Sequence, residues 1–89
     1  TASAALAAMQ KTRALFESIP NLTLETTEPP MRQLATDLNL KPGQLFGILR
    51  IAITGQQVSP PLFQTIELLD RQTVFERIEQ AEKLLKAVA

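Results

Sequence analysis

Six prolines limit the length of every helix this chain can form. They stand at positions 20, 29, 30, 42, 60 and 61 of an 89-residue sequence. A proline inside a helix removes a backbone donor and crowds the preceding turn. It also pushes the residue before it out of the helical region. Between these positions the apolar residues recur at three- and four-residue intervals, so the sequence predicts a bundle of about five short helices.

The first helix spans residues 2–18, with Leu6, Met9, Arg13 and Phe16 at helical spacing and Pro20 as its stop. Residues 21–27 read as an extended connection. Thr27 is the expected N-cap of the second helix, with Pro29 and Pro30 in its first turn, where the missing donors have no intrahelical partner. Met31, Leu34, Ala35 and Leu38 form its apolar stripe, and Asn39 is expected to end it in left-handed geometry. Pro42 opens the third helix and Gly55 closes it. Leu45, Phe46, Ile48, Leu49, Ile51, Ala52 and Ile53 cover most of its circumference, which predicts a central, buried helix. Ser59 is the expected cap of the fourth helix, with Pro60 and Pro61 in the first turn and Leu62, Phe63, Ile66 and Leu69 on its apolar face. Asp70 is expected to end that helix and cap the fifth, where Val74, Ile78, Ala81, Leu85 and Val88 keep a regular spacing. Glu79–Lys83 and Glu82–Lys86 are i, i+4 pairs on what reads as a solvated face that also carries Arg71 and Arg77.

Composition excludes several kinds of chemistry. The chain has no Cys and no His, so there is no disulfide framework, no zinc finger and none of the commonest general bases. No apolar run approaches the roughly 20 residues of a membrane helix. The Ala-rich start lacks the basic segment of a signal peptide. Nine basic and nine acidic residues give zero formal charge, which on its face argues against a bulk phosphate binder.

The distribution of charge is more informative. From Pro42 to Ile66 the only charged residue is Arg50, set in the most apolar helix. A guanidinium there must reach water, pair with an acid or face a ligand. The segment that follows, Thr54 to Phe63, is polar and lies at two helix ends. It reads either as a well-capped connection or as a surface for unpaired bases. Its prolines remove donors from the helix start, which makes it a poor phosphate cradle. Of the four Phe, only Phe63 is placed to approach a ligand, and the others read as core.

Lys41-Pro42-Gly43-Gln44-Leu45-Phe46-Gly47-Ile48-Leu49-Arg50-Ile51-Ala52-Ile53-Thr54-Gly55, followed by Ser59-Pro60-Pro61-Leu62-Phe63, resembles the C-terminal anticodon-binding domain of bacterial-type glutamyl-tRNA synthetases. The family pattern is "LR-x-A-L-T-G", a short loop, then "S/T-P-x-L-F". The flanking helices correspond to Leu34–Lys41 and Leu69–Ile78. The likeness covers most of the chain and is weakest before Pro29. It departs from the pattern at Asp70, where the family commonly has Gly. The resemblance implies an all-α, cage-like domain that binds the anticodon loop of glutamate tRNA. By that resemblance Arg50 meets the middle anticodon base, and Ser59, Pro60 and Leu62 surround the first. Lys41 and Arg32 are candidate phosphate contacts.

It further implies that residues 1–89 form one domain cut from a longer, monomeric, cytoplasmic synthetase. The preceding domains would then be partners, and ATP and Mg would serve a catalytic domain outside this chain. No cofactor, metal or catalytic residue is assigned to the chain itself. The rival reading is a helical protein–protein interaction module without nucleic-acid binding. A helix-turn-helix DNA reader ranks last, because the third helix shows only Gln44 and Arg50 as base-reading side chains.

Overall fold

A helix leaves four donors and four acceptors unpaired at its ends, and this chain satisfies a few of them with side chains from other helices. The structure, a computed structural model, describes residues 2–56 and 61–89. Among them the chain forms five helices and no strand: α1 (Ala2–Glu17), α2 (Leu24–Asp37), α3 (Pro42–Thr54), α4 (Leu62–Leu68) and α5 (Arg71–Val88). This is the all-α architecture expected from the periodicity.

α2 begins one turn earlier than its prolines imply. Thr23, not Thr27, is the N-cap. Its hydroxyl accepts from the Thr26 N–H at 3.2 Å, and the Thr26 hydroxyl accepts from the Thr23 N–H at 2.8 Å. This reciprocal pair nucleates a full turn before Pro29 and Pro30. The two prolines then sit inside the helix and withhold donors from the carbonyls of Glu25 and Thr26. Both of those residues are exposed, so water can serve the carbonyls. Thr27 is buried, with its hydroxyl donating to the Thr23 carbonyl at 2.6 Å. A second reinforcement comes from far along the chain: the Leu24 N–H donates to the Glu67 carboxylate of α4 at 2.9 Å.

The other local caps match the sequence reading. Asn39 is left-handed at φ 59°, and the Asn39 and Leu40 N–H groups donate back to Thr36 and Ala35. Gly55 ends α3 at φ 74°. The Lys41 N–H donates to the Gln44 side chain at 2.9 Å at the start of α3; the Lys41 side chain has no acceptor, and its backbone carbonyl accepts from the Gln44 N–H at 2.9 Å. Asp70 caps α5 by accepting from the Thr73 N–H at 2.8 Å. α4 differs from expectation. Pro61 is its N-cap rather than part of its first turn, because the Pro61 carbonyl accepts from both the N–H and the hydroxyl of Thr65. The expected Ser59 cap lies outside the described residues.

The core takes residues from every helix: Met9 and Phe16, Met31 and Ala35, Leu45, Leu49 and Ile53, Leu62, Phe63 and Ile66, then Val74 and Ile78. α1 and α5 form the most extensive packing of any pair. They run antiparallel, because Arg71 at the start of α5 reaches the end of α1 while Glu82 farther on meets Arg13. The Arg71 guanidinium donates to the carbonyls of Phe16, Glu17, Ile19 and Pro20, and so caps the C-terminus of α1. Arg77 does the same for α3 through the Ile53 carbonyl.

The expected solvated face of α5 is therefore only partly solvated. Glu82 is buried, with Oε1 3.3 Å from Nε of Arg13, at ion-pair distance but without hydrogen-bond geometry. Neither Glu79–Lys83 nor Glu82–Lys86 forms; the ion pairs among the described residues are Arg13–Glu82 and Arg32–Glu28. α3 touches all four other helices yet is not buried all round. One stripe, Leu45–Leu49–Ile53, faces the core. Phe46, Ile48 and Ala52 are half-buried, and Ile51 stays 48% exposed.

Candidate functional site

The two outer faces of α3 lead to different surfaces. Phe46 and Arg50, one turn apart, open onto a cleft of about 380 Å³. Leu24, Glu28 and Arg32 line its α2 wall, spaced at four-residue intervals along one face. Pro61, Leu62, Phe63 and Gln64 close it at the start of α4. Ile48, Ile51 and Ala52 open instead onto a nearly apolar groove of about 390 Å³ between α1, α3 and α5. That groove has one charged residue, Arg77, which is already engaged with the Ile53 carbonyl. It offers no set of polar groups to orient a ligand, so the cleft is the better site.

Within the cleft the polar and apolar groups are tied together. Phe46 and Phe63 meet edge to face, centroids 4.9 Å apart at 87°. Phe63 is buried, so the pair joins the cleft wall to the core. The Arg32 guanidinium lies over the Phe46 ring, 5.5 Å from its centroid, and its Nη2 is 3.3 Å from Oε1 of Glu28. Leu62 is buried and contributes to the wall. The Thr54 hydroxyl donates back to the Arg50 carbonyl at 2.8 Å, in the last turn of α3.

Sequence reasoning singled out six site residues. The structure brings Arg50, Arg32 and Leu62 to one cleft. Lys41 lies in a separate depression of about 400 Å³, with Thr36, Asn39, Leu40 and Gln44. Ser59 and Pro60 lie outside the described residues. The expectation for Arg32, a phosphate contact, meets a counter-charge in Glu28. Phe63 reaches the cleft from within the core. Phe46, read from sequence as core alone, also lines the cleft. Its signal was available: it stands four residues before Arg50, on the same helical face. Glu28 stands four residues before Arg32 and carried the same kind of signal.

Among the described residues no group of three or more His, Cys, Asp or Glu is placed to hold a metal ion. No helix among them is long and apolar enough to cross a membrane. The arrangement can hold a planar, hydrogen-bonding ligand against aromatic and aliphatic walls with guanidinium groups beside it.

Comparison with known proteins agrees with this chemistry. Residues 1–82 match the family model described as "Anticodon binding domain". Among curated proteins, a glutamate–tRNA ligase of Dehalococcoides mccartyi strain BAV1 is 51% identical over 81 residues, which is 91% of this chain and 17% of that protein. A glutamate–tRNA ligase of Roseiflexus castenholzii is 43% identical over 97% of this chain and 17% of its own length. One from Borrelia duttonii is 36% identical over 88% and 15% respectively. No solved structure matches. The chain thus spans about 17% of the length of the first of these relatives. With the family model covering nearly all of its length, the chain belongs to the anticodon binding domain family.

Proposed function

We propose that this chain is the part of a glutamate–tRNA ligase that recognises the anticodon loop of glutamate tRNA. The ligation itself, with ATP and Mg, belongs to other parts of that protein. The reading places the ligase in the cytoplasm as a monomer, with its remaining domains as this chain's protein partners. The observation that carries it is the meeting of Arg50 and Leu62 on one cleft, in a chain similar to glutamate–tRNA ligases along nearly its whole length.

Anticodon bases are unpaired and can be splayed onto side chains, and a cleft with a planar donor fork and aromatic walls suits them. Arg50 offers its guanidinium to the edge of one base. Leu62 and Phe46 supply apolar wall beside it. Ser59 and Pro60 enclose the adjacent base in the same proposal. Lys41, in its own depression at the start of α3, meets a backbone phosphate. The relatives lend no support to an interaction module that binds no nucleic acid.

Fluorescence anisotropy with a glutamate-tRNA anticodon stem-loop tests the reading, with a loop-scrambled stem-loop as control. Loop-dependent binding is expected, with a shallow salt dependence because few cations are engaged. Arg50→Ala is expected to weaken it by ~1–3 kcal/mol, as for other bidentate base contacts. Equal binding to both stem-loops, unchanged by Arg50→Ala, would sink the proposal.

A further inference from the structure

Two guanidinium groups, those of Arg50 and Arg32, line the cleft with Phe46. Arg32 has an acid beside it, Glu28. Glu28 stands four residues N-terminal to Arg32 on α2, the favourable order for such a pair. A carboxylate at 3.3 Å cancels much of the field that an incoming phosphate would feel. In the same geometry the guanidinium lies over the Phe46 ring. The ring is in turn braced edge-on by buried Phe63, so Arg32 rests on a rigid support. More than half of the Arg32 side chain, 56%, is still exposed, which leaves the planar group a surface for a ligand. Arginine planes, like aromatic rings, serve as stacking surfaces for unpaired bases.

We infer that Arg32 contacts the face of an unpaired anticodon base rather than a phosphate, and that Glu28 is the positioning residue that holds it over Phe46. The inference rests on the proposal that this cleft holds anticodon bases. It revises the role of Arg32 from a backbone grip to a stacking ledge. It also makes a counterintuitive claim about charge. Removing the acid should weaken RNA binding, although the protein becomes more cationic.

The test is a titration of the chain with the anticodon stem-loop across a range of salt concentrations, using wild type, Arg32→Ala, Arg32→Lys and Glu28→Gln. Helix content by circular dichroism is checked for each. Arg32→Ala is expected to lower affinity ~10-fold, the size of one base stack, with the log–log salt slope unchanged. Arg32→Lys is expected not to restore it, because it keeps the charge and loses the plane. Glu28→Gln is expected to weaken binding about threefold, a part of the stacking loss. The inference is overturned if Glu28→Gln tightens binding, if Arg32→Lys binds as wild type does, or if Arg32→Ala lowers the slope by about 0.7, the signature of one lost phosphate contact to a single strand. It is equally overturned if Arg32→Ala binds as wild type does. Wild-type binding that ignores the loop sequence would instead remove the underlying anticodon reading, a result the scrambled control reports separately.

Discussion

The α1–α5 side of the molecule and the α2–α3–α4 cleft use the same residue for opposite ends. On the first side Arg13 meets buried Glu82, Arg71 donates to the last carbonyls of α1, and Arg77 donates to the last carbonyl stretch of α3. Those guanidiniums are parts of the frame. On the second side Arg32 and Arg50 line a surface depression beside aromatic and aliphatic walls. An even count of nine bases and nine acids conceals this division. Arg71 and Arg77 direct donors to protein carbonyls and Arg13 faces a buried acid, whereas the Arg32 side chain stays 56% exposed on the cleft. The comparison predicts that substitutions on the first side lower stability and leave RNA affinity per folded molecule alone. Those on the second side should do the reverse.

Phe16→Ala should give the largest effect. Phe16 is fully buried at the end of α1 and is the largest such side chain in the core. Its loss should cost about 3–5 kcal/mol, enough to move the thermal transition of so small a domain by tens of degrees or abolish it. Half-buried Phe46 on the cleft side should cost clearly less when changed to Ala, while reducing stem-loop affinity. Circular dichroism melts paired with anisotropy titrations measure both quantities. If Phe46→Ala proved as destabilising as Phe16→Ala with no separate loss of affinity, the cleft would be another face of the core and the division would fail.

Arg71→Met is the sharper version of the same test. It keeps an apolar stem beside Phe75, whose ring lies 4.9 Å from the guanidinium, but removes every donor to the end of α1. Losing bonds from a charged donor should cost ~1–3 kcal/mol, read as a lowered melting temperature. Amide exchange in the last turn of α1 should rise. Stem-loop affinity of the folded variant should match wild type. An affinity loss as large as that of Arg50→Ala would mean that frame and site are not separable.

The same contrast explains how much could be read beforehand. Local signals held at several helix ends. Asn39, Gly55 and Asp70 each end or begin a helix as their chemistry implies. Arg50 stood out because nothing charged surrounds it in the chain. Signals failed wherever the partner came from another helix. Glu67 caps α2 from 43 residues away, and Arg71 caps α1 from more than 50. Neither bond has a local pattern that announces it. Glu82 looked like the partner of Lys86, but packing against α1 offers it Arg13 instead. Pro29 and Pro30 misled for a different reason. Prolines near a helix start are common, and the Thr23–Thr26 pair that moves the start upstream involves two residues of ordinary helix propensity. The all-round apolarity of α3 implies burial by pattern alone, whereas it serves three surfaces: core, cleft and groove.

Asp70 gives the smallest expected effect and places an electrostatic signature on the frame side alone. Its carboxylate accepts from the Thr73 N–H at 2.8 Å, and its other oxygen accepts from the Thr73 hydroxyl at 3.0 Å. The backbone N–H of Thr73, and after it the hydroxyl, hold the Asp70 carboxyl below its ordinary value of 3.8. A carboxyl whose folded value is depressed favours the fold once ionised. That contribution is fully present above the unfolded value and is lost as pH falls through the folded one. Asn is an equally good cap in geometry but carries no charge toward the positive end of α5. Wild type should therefore be slightly more stable than Asp70→Asn at neutral pH. The gap should close in acid below about pH 4, while remaining flat on the alkaline side. Denaturant melts of both proteins at several pH values measure the gap directly. A difference that persists unchanged into strong acid would mean that Asp70 acts through hydrogen-bond geometry alone, and that the frame draws nothing from the charge at the start of α5.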